Sequence, residues 1–410
     1  MTAVFDTVIA GGGASGCFAA IRAARRGRRV LVLDGNDRLL HKLSITGKGR
    51  CNVTNDCDTD TLMRNIPRNP RFLYSAFSRC TPADVMAFFE EAGVPLKVER
   101  GHRVFPVSDK AGDIAAALRR EMDKAGVTVK LNARVKRLLT ENGVCTGVHT
   151  ADGQEYRAES VLLATGGASY PRTGSTGDGY RLAAAAGHTV IPPVPSLIPL
   201  ETAEDDAREM QGLSLRNVTL TVTRGKKVLF SELGEMLFTH FGVSGPLVLS
   251  ASSRMTPDAL SETLLTVNLK PGLTPEQLDA RVLRDFAEVP NRAVCNIMKG
   301  LLPSSMIPAV LRRAEIEPEK KAHDITKAER IRLCGIMQKL TFHPTAMRPV
   351  AEAIITRGGV SVKEVDPNTM ASKLVKGLYF AGELLDVDAF TGGFNLQIAF
   401  ATGYAAGMSL

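Results

Sequence analysis

One short stretch constrains this chain more than any other: GGGASG, Gly11 to Gly16, set between an apolar run and an alanine-rich run. The residues before it, FDTVIA from Phe5 to Ala10, are apolar and β-branched, the pattern of a parallel strand buried on both faces. The residues after it, Cys17 to Arg26, read as a helix closed by Gly27. Gly11, Gly13 and Gly16 fall on the GxGxxG spacing, and each has a mechanical reason to be glycine. Gly11 permits a tight turn, Gly13 lets backbone approach a pyrophosphate, and Gly16 lets the helix pack closely on the strand. The helix start, with Ala14 and Ser15, then offers free N–H groups and a positive dipole end to phosphate. A second strand, Arg29 to Leu33, ends in Asp34, 23 residues after Gly11. That carboxylate is placed to accept hydrogen bonds from a ribose hydroxyl pair, and an acid there disfavours a 2′-phosphate. The unit predicts FAD or NAD rather than NADP. The plain alternative is a glycine turn without a ligand.

The segments after this unit decide between FAD and NAD. An NAD dehydrogenase would continue with more βα units, whereas this chain runs into HKLSITGKGRCNVTN, a polar loop containing Lys42, Gly47, Arg50, Cys51 and Asn52 that suits a large ligand. Val127 to Leu131, Val135 to Thr140 and Val144 to Thr150 read as three short strands, with Asn142-Gly143 and Asp152-Gly153 as hairpin signals. Ser160 to Ala164 is another buried strand, ending at Thr165, Gly166 and Gly167. A βαβ start, an antiparallel meander and a strand ending in ATGG is the order of flavoproteins with two dinucleotide-binding domains. Near the C-terminus, Leu378 to Ala381 is a strand, Gly382-Glu383 comes next, and Gly392-Gly393-Phe394-Asn395-Leu396 opens a small-residue helix towards Gly407. In that class Glu383 would lie near the ribityl chain. The helix start would face the flavin pyrimidine, where its dipole stabilises negative charge. A surface acid is the plain alternative for Glu383.

Long segments then carry a family resemblance: KLSITGKGRCNVTN (Lys42 to Asn55), ATGGASYPRTGSTGDGY (Ala164 to Tyr180), GEMLFTHFGVSGP (Gly234 to Pro246), ITRGGVSVKEVDPNTMASK (Ile355 to Lys373) and FAGELLDVDAFTGGFNLQ (Phe380 to Gln397). They resemble bacterial flavoproteins labelled aminoacetone oxidase-like or NAD(P)/FAD-dependent oxidoreductase, over almost the whole chain. The resemblance implies an α/β fold: a discontinuous Rossmann-like FAD-binding domain with an inserted β-rich, barrel-like domain and a helical subdomain. The expected ranges are 1–192 and 345–410 for the FAD domain, 193–270 and 336–344 for the β-rich part, and 271–335 for the helices. The residues support the insertion independently. Pro192, Pro193 and Pro195 signal a linker, Leu213 to Leu229 reads as a hairpin, Thr274 and Gln277 form a capping box, and Thr326 to Lys339 is amphipathic. Strand signals return at Val360 to Val365.

Because a flavin carries the electron transfer itself, the catalytic set can be short. Arg50 and Cys51 lie in the segment that the resemblance places beside the flavin, with Asn52. Arg50 could stabilise a reduced ring or anchor an acidic substrate, or serve only in an ion pair. A Cys51/Cys57 redox couple would need closer spacing on better helix material than Asn-Val-Thr-Asn-Asp, and a small buried packing residue is the commoner fate of such a cysteine. His240, near Gly242 and Gly245 in a tight loop, could exchange a proton near neutral pH, against a structural role. Tyr170 and Arg172 are candidates to line the substrate cavity. No second GxGxxG occurs, so NAD(P)H would reduce the flavin from a transient position, or the substrate would do so with oxygen as acceptor.

Composition narrows the partners. Lys plus Arg outnumber Asp plus Glu 51 to 43, a formal charge of +8 that favours anionic ligands. Arg22, Arg25, Arg26, Arg28 and Arg29 concentrate part of the excess, where a solvated helix end is the simpler reading than a nucleic-acid patch. Aromatics are 5% with no Trp, which argues against base stacking and so against nucleic acid. The 7 cysteines lack CxxC spacing, so neither a zinc ribbon nor a disulfide scaffold is expected, and no metal site is. MTAVFDTVIAGGG lacks the features of a signal peptide, and no apolar run is long enough for a membrane helix, so the expected setting is the cytoplasm, with no membrane partner. The leading reading is an FAD-dependent oxidoreductase acting on a small organic substrate, its flavin reduced by NAD(P)H. The alternatives are an RNA-modifying or RNA-binding flavoprotein and a flavin-binding sensor without turnover.

Overall fold

Four buried residues, Thr7–Ala10, form strand β1 at the centre of a five-stranded parallel sheet. The computed structural model describes residues 5–410, and they divide into two compact units, 5–196 with 349–410, and 197–348. In the first unit β1 is flanked by β2 (Val30–Leu33) and β4 (Ser160–Leu163), with β3 (Thr128–Lys130) beyond β2 and β5 (Leu378–Phe380) beyond β4. β1, β2 and β4 are buried at every position, which is why their sequences are apolar without alternation.

The first of the three strands expected after residue 126 therefore belongs to this sheet and not to the meander. The helix Ala111–Lys124 precedes it and supplies the crossover that a parallel strand needs. The meander itself is Val135–Glu141, Val144–Thr150 and Glu155–Arg157. Helix α1 (Ala14–Arg25) comes after β1, and helix α2 (Phe394–Gly407) ends the chain. They pack so closely that a Cβ on Gly403 or Gly407 would come within 2.5 Å of the Ser15 or Ala19 carbonyl oxygen. Phe18 and Phe400 meet at a centroid distance of 5.2 Å in the same core.

Two further segments differ from the sequence pattern. His41–Gly49 is a helical stretch, not an open loop, broken where Thr46, Gly47 and Lys48 leave helical φ/ψ. The strand signalled at 360–365 instead spans Ile355–Val360, antiparallel to Val190–Ser196, and a 3₁₀ turn comes after it at Val362–Glu364. Pro192, Pro193 and Pro195 thus lie in a strand rather than a linker. Pro192 and Pro193 fall where the register shifts between Ile191 and Val194, and Pro195 lies on an edge strand of the two-stranded ribbon, positions that tolerate a missing donor.

In the second unit seven strands form one antiparallel sheet, dominated by the long hairpin Ser214–Arg224 and Lys227–Thr239. The helices Pro275–Glu288 and Lys327–Gln338 share one apolar core with it, through Leu278, Val282, Leu333 and Met337 on the helices and Leu220, Val222 and Phe238 on the strands. Thr274 and Gln277 form the expected capping box, and Thr326 with Glu329 forms another. The units divide at Ser196/Leu197 and Arg348/Pro349. Among the described residues no helix is long and apolar enough to cross a membrane.

Candidate functional site

Register brings the chemistry-bearing turns of the first unit to one edge of its sheet. Ala10 lies level with Leu33 and Leu163, and Leu163 with Phe380, so the segments leaving β1, β2, β4 and β5 emerge together at their carboxyl ends. The Gly11 N–H donates to Leu33 O at 2.8 Å, Ala164 N–H to Ala10 O at 2.8 Å, and Ala381 N–H to Leu163 O at 3.1 Å. This edge is where doubly wound sheets bind nucleotides.

The three glycines of the first turn differ in what surrounds them. A Cβ on Gly11 would collide with the Ala164 carbonyl, and one on Gly16 with the Gly11 carbonyl, so both are required by protein packing. A Cβ on Gly13 would meet no atom within 4 Å. The space beside Gly13 is open, and no side chain caps α1, whose start faces it. Asp34 is buried, its Oδ2 accepting from the Gly12 N–H at 2.7 Å and its Oδ1 from the Asn36 N–H at 2.8 Å. Each oxygen keeps a second lone pair for a ribose hydroxyl. An open cradle at a glycine, an uncapped helix start and a buried acid fit the diphosphate and ribose of a dinucleotide.

The chain's other end completes this edge. A Cβ on Gly382, held at φ +73°, would come within 2.5 Å of Ser15 Oγ on α1. Gly393, at φ +100°, caps α2 without side-chain help, a Cβ there would collide with the Thr54 carbonyl, and Asn55 Nδ2 donates to Gly392 O at 2.9 Å. With its amide oriented to donate to Thr54 O at 3.0 Å, Asn52 accepts from the Gly393 N–H at 2.9 Å. Phe394 is buried and Leu396 half-buried against the core, while Asn395 is spent on the preceding loop, accepting from Ala389 N–H at 2.9 Å and donating to Ala389 O at 2.8 Å.

Between the two ends lies a polar network. Lys42 Nζ donates to Glu383 Oε2 at 2.5 Å and Ser169 Oγ at 2.7 Å, and Glu383 Oε1 accepts from Thr356 N–H at 2.8 Å and Ser169 Oγ at 3.0 Å. Thr356 Oγ1 in turn accepts from the Ala168 N–H at 2.7 Å and the Ser169 N–H at 3.0 Å. Gly167 is glycine because a Cβ there would come within 2.5 Å of Thr356 Oγ1 and 2.8 Å of Glu383 Oε1. Gly166 turns at φ +73°, and Thr165 Oγ1 is buried with no partner among the described residues, an orphaned hydroxyl beside the cradle strand. Gly47 also has positive φ, at +58°, with Asn52 N nearby, and Val135 is buried opposite Thr150 in the meander.

The catalytic candidates separate. Arg50 is committed: Nε donates to Asp109 at 2.8 Å, Nη2 donates to Glu99, and the guanidinium stacks 4.1 Å from the Phe105 ring centroid. Those bonds hold the Glu99 carboxyl below its ordinary range. Cys51 is fully buried, and burial pushes its thiol up to about 12. Cys57 is half-buried and pushed up to about 11, so neither offers a thiolate near neutral pH. His240 is exposed in a turn of the second unit, its ring edge-on to Phe241 at 4.9 Å. Tyr170 is half-buried at φ +51°, next to Ser169, and burial raises its phenol, while Arg172 is exposed in the adjoining turn. Sequence reasoning missed Asp386 and Asp388, both buried and both raised by burial, facing Arg68 Nε at 3.9 and 3.8 Å. Their signal was the acid-x-acid spacing in GELLDVDAF.

Residues 5–409 match the HI0933-like protein Rossmann domain. The chain belongs to this family. It is an FAD-dependent oxidoreductase. The chain is 32% identical over 97% of its length to the 3-dehydro-bile acid delta(4,6)-reductase of Clostridium scindens, covering 97% of that protein. It is also 31% identical over 100% of its length to the ribosomal RNA dihydrouridine synthase of Haemophilus influenzae, covering 99% of that protein. In fold it is similar to the 3-ketosteroid delta1-dehydrogenase of Sterolibacterium denitrificans, with a TM-score of 0.50 at 14% identity and 99% coverage of both chains.

Proposed function

We propose that this HI0933-like flavoprotein reduces a carbon–carbon double bond conjugated to a carbonyl, with NAD(P)H as electron source, and that the bond is C5=C6 of a uridine in ribosomal RNA. The observation that carries the reaction class is whole-chain similarity to two relatives whose names describe the same change on different molecules. A delta(4,6)-reductase and a dihydrouridine synthase both add two hydrogens across such a bond. The balance is one hydride and one proton gained by the substrate for each NAD(P)H oxidised to NAD(P)⁺.

FAD, when bound, supplies two-electron hydride chemistry. The chain's own residues would hold and orient it. The Gly11 to Gly16 turn with Ala14 and Ser15 would take the diphosphate, and Asp34 the adenosine ribose. Lys42, Glu383 and Thr165 would line the ribityl side, and the backbone at Gly393 to Leu396 would put the start of α2 against the pyrimidine. Tyr170 is the favoured proton source: a tyrosine phenol carries its proton at neutral pH, and Ser169 beside it is bound into the Lys42–Glu383 network. Arg50 would brace this region through Glu99 and Asp109 rather than touch substrate.

A ribosomal substrate is favoured by the formal charge of +8 together with the relative matched over the full chain. The second reading, a small conjugated enone, is favoured by the bile acid reductase at 32% identity. Amine oxidation, the chemistry in the aminoacetone oxidase-like label, would run electrons in the opposite direction. The test is anaerobic holoenzyme with NADH or NADPH and either unmodified ribosomal RNA transcripts or a conjugated steroid enone. A nucleoside heavier by two hydrogens in digested RNA supports the first reading. Enone consumption without it supports the second, and flavin reduction by aminoacetone alone overturns both.

A further inference from the structure

The charge excess is not free everywhere. In the arginine-rich stretch at the end of α1 and just after it, Arg25 pairs with Glu121 at 2.5 Å, Arg28 with Glu159 at 2.6 Å and Arg29 with Asp6 at 2.7 Å, while Arg26 donates to the Met408 carbonyl. That cluster is consumed by the fold. The long hairpin of the second unit is different. Its two strands close at Arg224 and Lys227, which are register partners, with Gly225 and Lys226 as the turn between them. Arg224, Lys226 and Lys227 are all exposed, and none forms an ion pair among the described residues.

Two like charges directly opposite each other across a strand pair repel, so the hairpin is closed by an arrangement that destabilises it. The acids nearest in register do not relieve this. Glu262 precedes Thr263, the partner of Arg224 on the other side, without pairing to it, and Glu232 lies opposite Leu220 with Arg254 as its neighbouring cation. Behind the tip the strands alternate: Arg224 and Lys227 share the face of Val222 and Leu220, while Thr223, Thr221 and Ser231 carry hydroxyls on the opposite face, Thr221 and Ser231 being joined at 2.9 Å.

We infer that the tip of this hairpin, Arg224, Lys226 and Lys227, is a contact surface for the sugar–phosphate backbone of RNA. Three exposed cations on one hairpin turn, none of them in an ion pair among the described residues, match what binds phosphate oxygens. No aromatic residue lies at the tip or among these hydroxyls to stack on a base, so the contact positions RNA without reading its sequence. This inference rests on the ribosomal substrate proposed for the flavin site.

The test uses FAD-loaded full-length protein and fluorescent ribosomal RNA transcripts, titrated at several salt concentrations. For R224Q/K226Q/K227Q the expected result is a loss of affinity of about 10-fold or more near 0.1 M salt, with a slope of log K against log salt shallower by about 2. The same loss is expected on a transcript of scrambled sequence. The charge-keeping variant K226R/K227R should bind as the parent does, and FAD content should be unchanged in both. Equal binding and equal salt slope in the neutral variant would overturn the surface while leaving the uridine reading intact, provided that the parent binds and modifies RNA. Failure of the parent protein to bind RNA at low salt would overturn both. Loss of binding to anionic phospholipid vesicles with RNA binding intact would assign the tip to a membrane surface and overturn the inference.

Discussion

Gly13 shows how finely a single position divides a structural from a ligand-facing role. Its neighbours Gly11 and Gly16 are glycine because carbonyl oxygens of the protein crowd them, whereas nothing among the described residues crowds Gly13. Gly13→Val is therefore expected to leave the apoprotein folded, its melting temperature within a few degrees of the parent, while FAD content read by absorbance near 450 nm falls at least about tenfold. Retained flavin in that variant would refute the cradle. Cys51 allows a different prediction. With its thiol pushed up to about 12 by burial, native protein at pH 8 should show no alkylation of Cys51 by iodoacetamide on a timescale that labels the partly exposed Cys295. Mass spectrometry of the digested protein reads the order. The glycine requirement was legible from spacing alone, since a tight turn needs it locally. The commitment of Arg50 was not, because its partners Glu99 and Asp109 come 49 and 59 residues later and only the fold brings them near.

At the scale of elements, the beginnings of β1 and β2 are tied by Asp6, which accepts from the Arg29 N–H at 2.8 Å and pairs with the Arg29 guanidinium at 2.7 Å. Those bonds lower the Asp6 carboxyl from 3.8 to about 2. A depressed carboxylate adds stability above its unfolded value and loses it as pH falls through the folded one. Asp6→Asn should therefore melt a little below the parent at pH 7, about 1 kcal/mol or less for so exposed a pair. The gap should close between pH 4 and about 2, as thermal melts across that range would show. α1 and α2 give the opposite case, an apolar contact with no slack. Gly407→Leu would drive a side chain into the Ala19 carbonyl and should cost about 2–3 kcal/mol in urea unfolding. Most elements were readable from pattern: apolar runs for β1, β2 and β4, and TPEQ for a helix start. The strand Thr128–Lys130 was misplaced because three half-exposed residues carry no period, and its sheet is chosen by the crossover helix before it.

Across the whole molecule, the residues proposed to hold FAD come from both ends of one unit, Gly11 to Asp34 on one side and Gly382 to Leu396 on the other. A ligand bound there should stabilise both ends together. At a free FAD concentration of about 100 times its dissociation constant, the gain is about 2.7 kcal/mol. Hydrogen exchange of the stripped protein should show residues 11–16 and 392–396 losing protection in concert, with protection restored on adding FAD. Independent behaviour of the two segments would separate them. The amino-acid sequence by itself determined the nucleotide unit, the capped helices and the glycines at tight turns, because each depends on backbone sterics and on periodicity within a few residues. Only the tertiary structure decided that Lys42 meets Glu383, that Arg50 is spent on two carboxylates, that Arg25, Arg28 and Arg29 pair with acids, and that Asp386 and Asp388 are buried facing Arg68. Electrostatic pairing acts through space, and which charges become neighbours is set by how strands order in a sheet rather than by their distance along the chain.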